Sequence, residues 1–279
     1  METQRQENPL GLKVRMLGEC SLEYGGQPIL REKNPGSKTF QLLQILLHAG
    51  PGGVRRERLI ACLFENGSTG DGYGNLRVTI HNLRKLLRES GLPKEPYICL
   101  EDGCCRFQSS FPVSVDALTF DRLIKRAGPA SGRERMELLK QACRLYRGRF
   151  LPPLAGESWV DMAEACYQRQ YDACLREVCN DLKEQGEYRE LLELCSRAAS
   201  IYPYDEWQIW QMDCLTALGR GVEAMALYER TVKLYFEELA LQPSERMLTC
   251  FRQMEAKLRM DTEDLRDIQE RLREKETAT

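Results

Sequence analysis

The amino-acid sequence predicts a mainly α-helical chain that begins with a small α+β region. Short strand-like segments joined by a glycine turn precede the first helix, and apolar residues at helical spacing run through most of the remainder. The chain has 279 residues, of which 42% are hydrophobic. This size and composition predict about two domains with buried cores and exclude a disordered chain.

The apolar segments are short. Leu42–Leu47 is among the longest, far below the roughly 18 residues that a membrane span needs. The first residues, Met1–Asn8, are polar and of mixed charge, unlike a secretory signal. We therefore expect a cytoplasmic protein with no membrane partner.

The cysteine content is high, with 12 Cys against 2 His. Paired Cys-x-x-Cys ligands are absent from the sequence, and His48 and His81 are the only imidazoles. We predict no metal and no cofactor, and expect most cysteines to pack as small hydrophobes. The adjacent Cys104-Cys105 pair is expected to be exposed, and it is the place where redox sensing is considered.

Strand and helix signals alternate in the first half of the chain. Three short strands are predicted over Leu12–Leu17, Cys20–Tyr24 and Pro28–Leu30, with a turn at Gly25-Gly26. Three helices are predicted over Lys38–Ala49, Arg55–Phe64 and Leu76–Glu89, with Ser37 and Asn75 as N-caps of the first and third. A hairpin over Tyr97–Leu100 and Cys105–Gln108 follows.

The third predicted helix has two unlike faces. Its apolar face consists of Leu76, Ile80, Leu83 and Leu87. At about 100° per residue, the opposite face collects Arg77, His81, Arg84, Lys85 and Arg88, with no acidic residue among them. A solvated helix face is the simplest reading, but the order of elements is that of a winged helix-turn-helix, which places such a helix in the major groove of DNA.

The net charge near zero hides an asymmetry. Through Val113 the chain carries 15 Lys+Arg and 12 Asp+Glu, a net of +3, and the remainder carries −5, which together give −2. A near-neutral chain is therefore compatible with a nucleic-acid-binding first half.

Two stretches of this half resemble a known family. Val54–Phe64 resembles the second helix of OmpR/PhoB-type winged helices, and Asn75–Leu87 resembles their recognition helix with its Ile-x-x-Leu-Arg-Lys core. The wing tip reads Gly103-Cys104-Cys105, where that family usually has Gly-Gly-Tyr.

The resemblance implies which residues meet DNA. Arg77, His81 and Asn82 lie where the family contacts bases or phosphates, and Arg84 matches its backbone-binding arginine. With the other basic side chains of these elements, the candidate DNA-binding residues are Arg77, His81, Asn82, Arg84, Lys85, Arg88, Lys38, Arg55, Arg56 and Arg106.

The second half is predicted to be almost wholly helical. Amphipathic helices are predicted over Asp116–Ala127, Arg133–Tyr146 and Ser158–Gln185. Similar segments then recur, with Gly186 and Gly219 offset by 33 residues, close to the roughly 34-residue tetratricopeptide period. An array of stacked helix pairs follows from this pattern.

This half also resembles a family. Ala198–Asp205, Leu215–Arg220, Phe236–Pro243 and the junction Phe111–Asp116 are similar to the bacterial transcriptional activator domain. The two halves together resemble the antibiotic-regulatory-protein type of transcriptional regulator, known as SARP. The resemblance implies binding to repeats in double-stranded promoter DNA and contact with RNA polymerase. A homodimer on DNA is the alternative role considered for the second half.

The sequence thus predicts a winged helix-turn-helix (α+β) followed by an all-α tetratricopeptide-like array. The predicted domains are 1–112 for DNA binding, 113–260 for the activator domain and 261–279 for a charged helical tail. The predicted function is a DNA-binding transcriptional regulator, an activator by resemblance, and not an enzyme. A tetratricopeptide-type adaptor that binds protein but not DNA is the alternative.

Overall fold

The computed structural model describes residues 10–31, 34–64, 71–257 and 259. The elements of the first half are β1 (Leu12–Arg15), β2 (Ser21–Tyr24), β3 (Gln27–Ile29), α1 (Lys38–Ala49), β4 (Val54–Arg55), α2 (Arg56–Phe64), α3 (Gly72–Arg88), β5 (Ile98–Glu101) and β6 (Cys104–Phe107). Those that follow are β7 (Val113–Val115), α4 (Asp116–Ala127), α5 (Gly132–Leu145), α6 (Ser158–Gln185), α7 (Tyr188–Ile201), α8 (Trp207–Ala217) and α9 (Gly221–Leu239). Residues 245–257 form a further helical segment.

The first sheet has four strands in the order β3-β2-β1-β7. The strands β1, β2 and β3 form an antiparallel meander, and the predicted turn at Gly25-Gly26 has positive φ angles of 57° and 81°. Strand β7 pairs parallel to β1, with Leu12 opposite Val113. The sequence analysis missed β7 because three residues carry too little periodicity to be recognised without their partner strand.

The winged-helix region is built from α1, α2, α3 and a second sheet of order β4-β6-β5. Ser37 caps α1 as predicted, its side chain accepting a hydrogen bond from the N–H of Phe40 at 3.3 Å. The short strand β4 pairs with β6, with Val54 opposite Cys105, so the second predicted helix begins one residue later than expected.

The prediction that Asn75 caps the third helix is wrong. The helix α3 begins at Gly72, and the N–H of Asn75 already donates to the carbonyl of Asp71 at 3.0 Å. Glycines disfavour helix, which is why the sequence indicates a loop here. A Cβ on Gly72 would lie 2.8 Å from the Ile60 side chain, so glycine permits the close packing of α3 on α2. Residues 65–70, just before α3, lie outside the described residues.

The junction between the two halves depends on Asp116, the first residue of α4. Its buried carboxylate accepts backbone hydrogen bonds from Met16 at 2.8 Å, Leu17 at 3.1 Å and Ala117 at 2.7 Å. Burial raises the pKa of this carboxyl, and the three N–H donors oppose that shift. The carboxylate therefore joins the end of β1 to the start of α4.

A second polar connection joins α1, α4 and α6. The Tyr167 hydroxyl donates to Asp121 Oδ2 at 3.1 Å and lies 2.8 Å from His48 Nε2. Because the hydroxyl proton is used by Asp121, His48 Nε2 is the donor to Tyr167. Burial lowers the pKa of His48 to about 4, so the ring is neutral at pH 7.

Contacts divide the chain into two compact units, one through Leu175 and the other from Arg176, so that α6 contributes to both. In the second unit α7 packs against α8, and α8 against α9. Its core includes Met212, Tyr235 and, from the last helical segment, Met247. This helical array confirms the predicted fold class. The predicted boundaries 1–112 and 113–260 stay a prediction, and the tail 261–279 lies outside the described residues.

Among the helices that the structure describes, none is both long enough and apolar enough to cross a membrane.

We expect Asp116→Ala to lower the free energy of unfolding by about 2–4 kcal/mol, because buried backbone N–H groups lose their acceptor. Asp116→Asn should cost less, since the amide oxygen can retain the bonds to Met16 and Ala117. Urea denaturation at pH 7 measures both. The control is Asp161→Asn, at an exposed aspartate that accepts one N–H, from Gly156. A loss at Asp116→Ala no larger than at the control contradicts the role of Asp116.

Candidate nucleic-acid interface

The two faces of α3 are as predicted. Leu76, Ile80, Leu83 and Leu87 are buried. The opposite side exposes the predicted set Arg77, His81, Asn82, Arg84, Lys85 and Arg88. Within the described residues, no ion pair holds any of these basic side chains. The helix thus presents an uncompensated basic surface, which we call the α3 face.

One hydrogen bond fixes the start of α3 against α2. The hydroxyl of Tyr73 donates to Glu57 Oε1 at 3.0 Å. The pKa of Glu57 is lowered first by a hydrogen bond from its own backbone N–H and next by the hydrogen bond from the Tyr73 hydroxyl. The charges of Arg55 and Arg56 lower it further. Glu57 is therefore ionised at neutral pH and lies close to two of the predicted phosphate-binding residues.

Three arginines from different elements converge on the second sheet. Arg84 Nη2 donates to the carbonyl of Ile98 at 3.1 Å, which connects α3 to β5. Burial raises the pKa of the Cys105 thiol to about 11, and the nearby charges of Arg84 and Arg56 act against that shift. Arg106, on β6, lies 3.8 Å from Glu101. The structure therefore brings Arg56, Arg84 and Arg106 together around the hairpin.

The wing turns at Asp102 and Gly103, which have φ angles of 49° and 75°. These are the two left-handed positions of a tight hairpin, and Cys104 already lies in the strand. The loss of glycine at Cys104, relative to the family pattern, therefore puts no strain on the turn.

The interpretation of Cys104-Cys105 as an exposed pair is wrong for Cys105. Neighbouring residues of a strand point to opposite sides of the sheet, and Cys105 is fully buried. Its raised pKa keeps the thiol protonated and unreactive at pH 7. Of the 12 cysteines, seven are buried, as expected for core residues.

Besides Arg84 and Arg106, two more predicted contact residues are engaged within the protein. Lys38 Nζ lies 3.4 Å from the Glu157 carboxylate and 3.3 Å from Gln41 Oε1. Arg88 Nε donates to the carbonyl of Arg84 at 3.3 Å. The structure therefore places Lys38 in an ion pair, whereas Arg88 keeps its guanidinium on the α3 face.

Val78 is a candidate contact residue that the sequence analysis missed. It is 60% exposed and follows Arg77 on α3. At 100° per residue it lies between Lys85 and Asn82 around the helix axis. The sequence does carry a signal for it. The buried face has apolar residues 4, 3 and 4 positions apart, at Leu76, Ile80, Leu83 and Leu87, and Val78 is an apolar residue outside that spacing.

The fold and this surface define a class of protein: a winged helix joined to a tetratricopeptide-like helical array, as in bacterial transcriptional regulators. The model of the family "Bacterial transcriptional activator domain" matches residues 115–258. The chain belongs to this family and is a transcriptional regulator of the SARP type.

One solved structure supports the fold. It is Mycobacterium tuberculosis EmbR in complex with a low-affinity phosphopeptide, 18% identical, with a TM-score of 0.58. The match covers 89% of this chain and 65% of EmbR, so the chain spans about two thirds of the length of that structure. No curated protein sequence shows significant similarity to the chain.

Gly53 controls the position of Arg106. Its φ is 66°, and a Cβ there would overlap the Arg106 side chain and lie 2.7 Å from the Cys105 carbonyl. We expect Gly53→Ala to lower the free energy of unfolding by about 1–3 kcal/mol and to displace Arg106. Thermal denaturation measures the loss. Gly52→Ala is the matched control, since nothing lies within 4 Å of its Cβ position, and an equal loss there would refute the explanation.

Proposed function

We propose that the protein binds double-stranded promoter DNA by inserting the α3 face into the major groove. The observation that carries this proposal is the α3 face itself, a row of exposed basic side chains with no acidic residue on a helix whose other side is buried. Such an arrangement lets one helix approach base edges while its packing keeps its orientation rigid.

The residues of α3 divide into two roles in this proposal. Arg77 and His81 reach base edges, with Asn82 beside them, because arginine and amide side chains pair with purine edges in the major groove. Lys85 and Arg88, further along the helix, neutralise phosphates.

The wing and α2 supply the remaining phosphate contacts in the proposal. Arg55, Arg56, Arg84 and Arg106 surround the hairpin, and its exposed turn at Asp102-Gly103 carries it alongside the groove. A guanidinium has five donors, so Arg84 can bind Ile98 and a phosphate together. Lys38 and Arg106 contribute less than predicted from the sequence, because Glu157 and Glu101 already pair with them.

The helical array is proposed to contact RNA polymerase or a second protomer and so to activate transcription. Support comes from the family and from exposed apolar side chains on and after α9, which are Val222, Phe236, Leu239 and Leu241. Exposed apolar residues in groups are typical of protein-binding surfaces. We also propose that DNA binding belongs to residues 1–112 and activation to 113–260.

An electrophoretic mobility-shift titration against genomic promoter fragments tests the proposal. Salt-dependent binding is expected, because cationic side chains release counterions from DNA. An adaptor that binds only protein would show no such affinity, which would contradict the proposal.

We expect Arg77→Ala to reduce discrimination between a cognate and a scrambled site by about tenfold to a hundredfold, corresponding to about 1–3 kcal/mol. Lys85→Ala should weaken binding to both sites alike and reduce the salt slope by about 1, because it removes a phosphate contact. Arg84→Ala should do the same and also loosen the hairpin, since Arg84 bonds to Ile98. Fluorescence anisotropy at several salt concentrations measures these effects.

The matched control for these variants is Arg126→Ala, which removes an exposed positive charge from α4. Its affinity and salt slope should equal those of the wild type. If Arg126→Ala and Arg77→Ala change discrimination equally, α3 does not read the bases.

We expect Val78→Ala to weaken binding to the cognate site by about fivefold through loss of contact with a thymine methyl group. Replacing thymine by uracil in the site removes that methyl group. The effects of the protein and DNA changes should therefore not add, and a double-mutant cycle by anisotropy measures their coupling. Additive effects, or unchanged binding by Val78→Ala, contradict the contact.

A further inference from the structure

A cavity of about 640 Å³ lies in the first unit, beside the end of α1, β4, α2 and the start of α6. This volume falls within the range of small-molecule sites, about 300–1,000 Å³. Much of the lining is apolar and includes Ile45, Val54, Met162 and Ala163. Neither the fold nor the proposed DNA contact explains why this space is left unfilled.

A buried aromatic residue forms part of the wall of the cavity. Trp159, which lines it, is only 8% exposed, and its indole Nε1 has no hydrogen-bond partner among the described residues. Its ring is held edge-on to Phe150, with ring centres 6.2 Å apart. Trp159 therefore adds a fixed aromatic surface to the apolar wall of the cavity.

Two positive charges line the same cavity. Arg55 and Arg58 are both exposed, and neither forms an ion pair with a described residue. The third polar group, His48, is neutral and donates its Nε2 proton to Tyr167. No Asp or Glu is among the lining residues. The two positive charges therefore complement an anion, and the walls complement an apolar group.

We propose that this cavity binds an amphipathic organic anion of small-molecule size. Its apolar body lies against Ile45, Val54 and Met162, and its anionic group pairs with Arg58 and Arg55. The site is an effector site, distinct from the α3 face.

The position of Arg55 connects this site to DNA binding. Arg55 is on β4, which pairs with the wing strand β6, with Arg55 opposite Cys104. An anion paired with Arg55 removes a phosphate contact, so the ligand and DNA oppose each other. This consequence rests on the proposed DNA binding, whereas the existence of the site does not.

The test uses a pair of fluorescent probes on the full chain without DNA. The anionic probe 1-anilinonaphthalene-8-sulfonate should bind with one saturable site per chain. The neutral probe N-phenyl-1-naphthylamine has the same rings without the sulfonate and should bind at least about fivefold more weakly, the size of one favourable ion pair. Absence of saturable binding, or equal binding of both probes, overturns the proposal.

Two variants locate the binding. Ala163→Trp fills the cavity and should weaken binding of the anionic probe at least tenfold. Ala165→Trp is the control: it lies at an exposed position of the same helix, outside the cavity lining, and should leave probe binding unchanged. Arg58→Gln should weaken binding of the anionic probe about fivefold and leave binding of the neutral probe unchanged. Circular dichroism checks that each variant is folded.

Equal probe binding by Ala163→Trp and Ala165→Trp would mean that the probe lies elsewhere, and so would unchanged binding by Arg58→Gln. A dimer in gel filtration that Ala163→Trp alone abolishes would identify the cavity as a protein contact instead and overturn the proposal. If DNA binding itself fails, the probe titrations still stand, so the two proposals are judged separately.

Discussion

The buried carboxylate of Asp116 is the interaction on which the arrangement of the first unit depends. It satisfies the N–H groups of Met16 and Leu17, where β1 ends, and of Ala117, where α4 begins. Few other groups can do this, since one carboxylate offers about four lone-pair sites and an unpaired buried N–H is costly. With Asp116 in place, β7 continues the sheet beside β1, and the Met16 carbonyl accepts from Leu151 at 2.7 Å. The winged-helix elements and the helices α4 and α5 therefore lie in one compact unit.

The connection from His48 through Tyr167 to Asp121 acts in the same way on α1. His48 connects α1 to α6 and α4. The helices α2 and α3 pack on α1 with their apolar faces, and their basic residues point outward. The three arginines around the hairpin then depend on local geometry, namely the bond of Arg84 to Ile98 and the close approach at Gly53. A surface of this kind is rigid, which is what base recognition requires. In the proposal for the cavity, an anion that pairs with Arg55 changes the same surface.

Much of the fold was predictable because it rests on local signals. Helices α1, α4 and α6 have the predicted bounds, since a cap, a glycine-proline break or sustained periodicity marks them in the sequence. Of the candidate site, the sequence predicted the α3 face, because helical geometry alone determines which residues lie on it. Local patterns could not show β4 and β7, because these short strands exist only through their partner strands. They also could not show the first turn of α3, where packing on Ile60 overrides the low helix propensity of glycine.

The sequence by itself determined the class of fold, the order of the two halves, the family resemblance and the basic side of one helix, because each of these is written in residue types and spacings along the chain. The tertiary structure alone decided which charges remain available. It pairs Lys38 with Glu157, turns Arg84 partly toward Ile98, buries Cys105 and exposes Val78. It also formed the cavity, which Trp159 and the two arginines Arg55 and Arg58 line. The physical reason is that pairing, burial and empty space depend on residues distant in sequence, which spacing along one element does not specify.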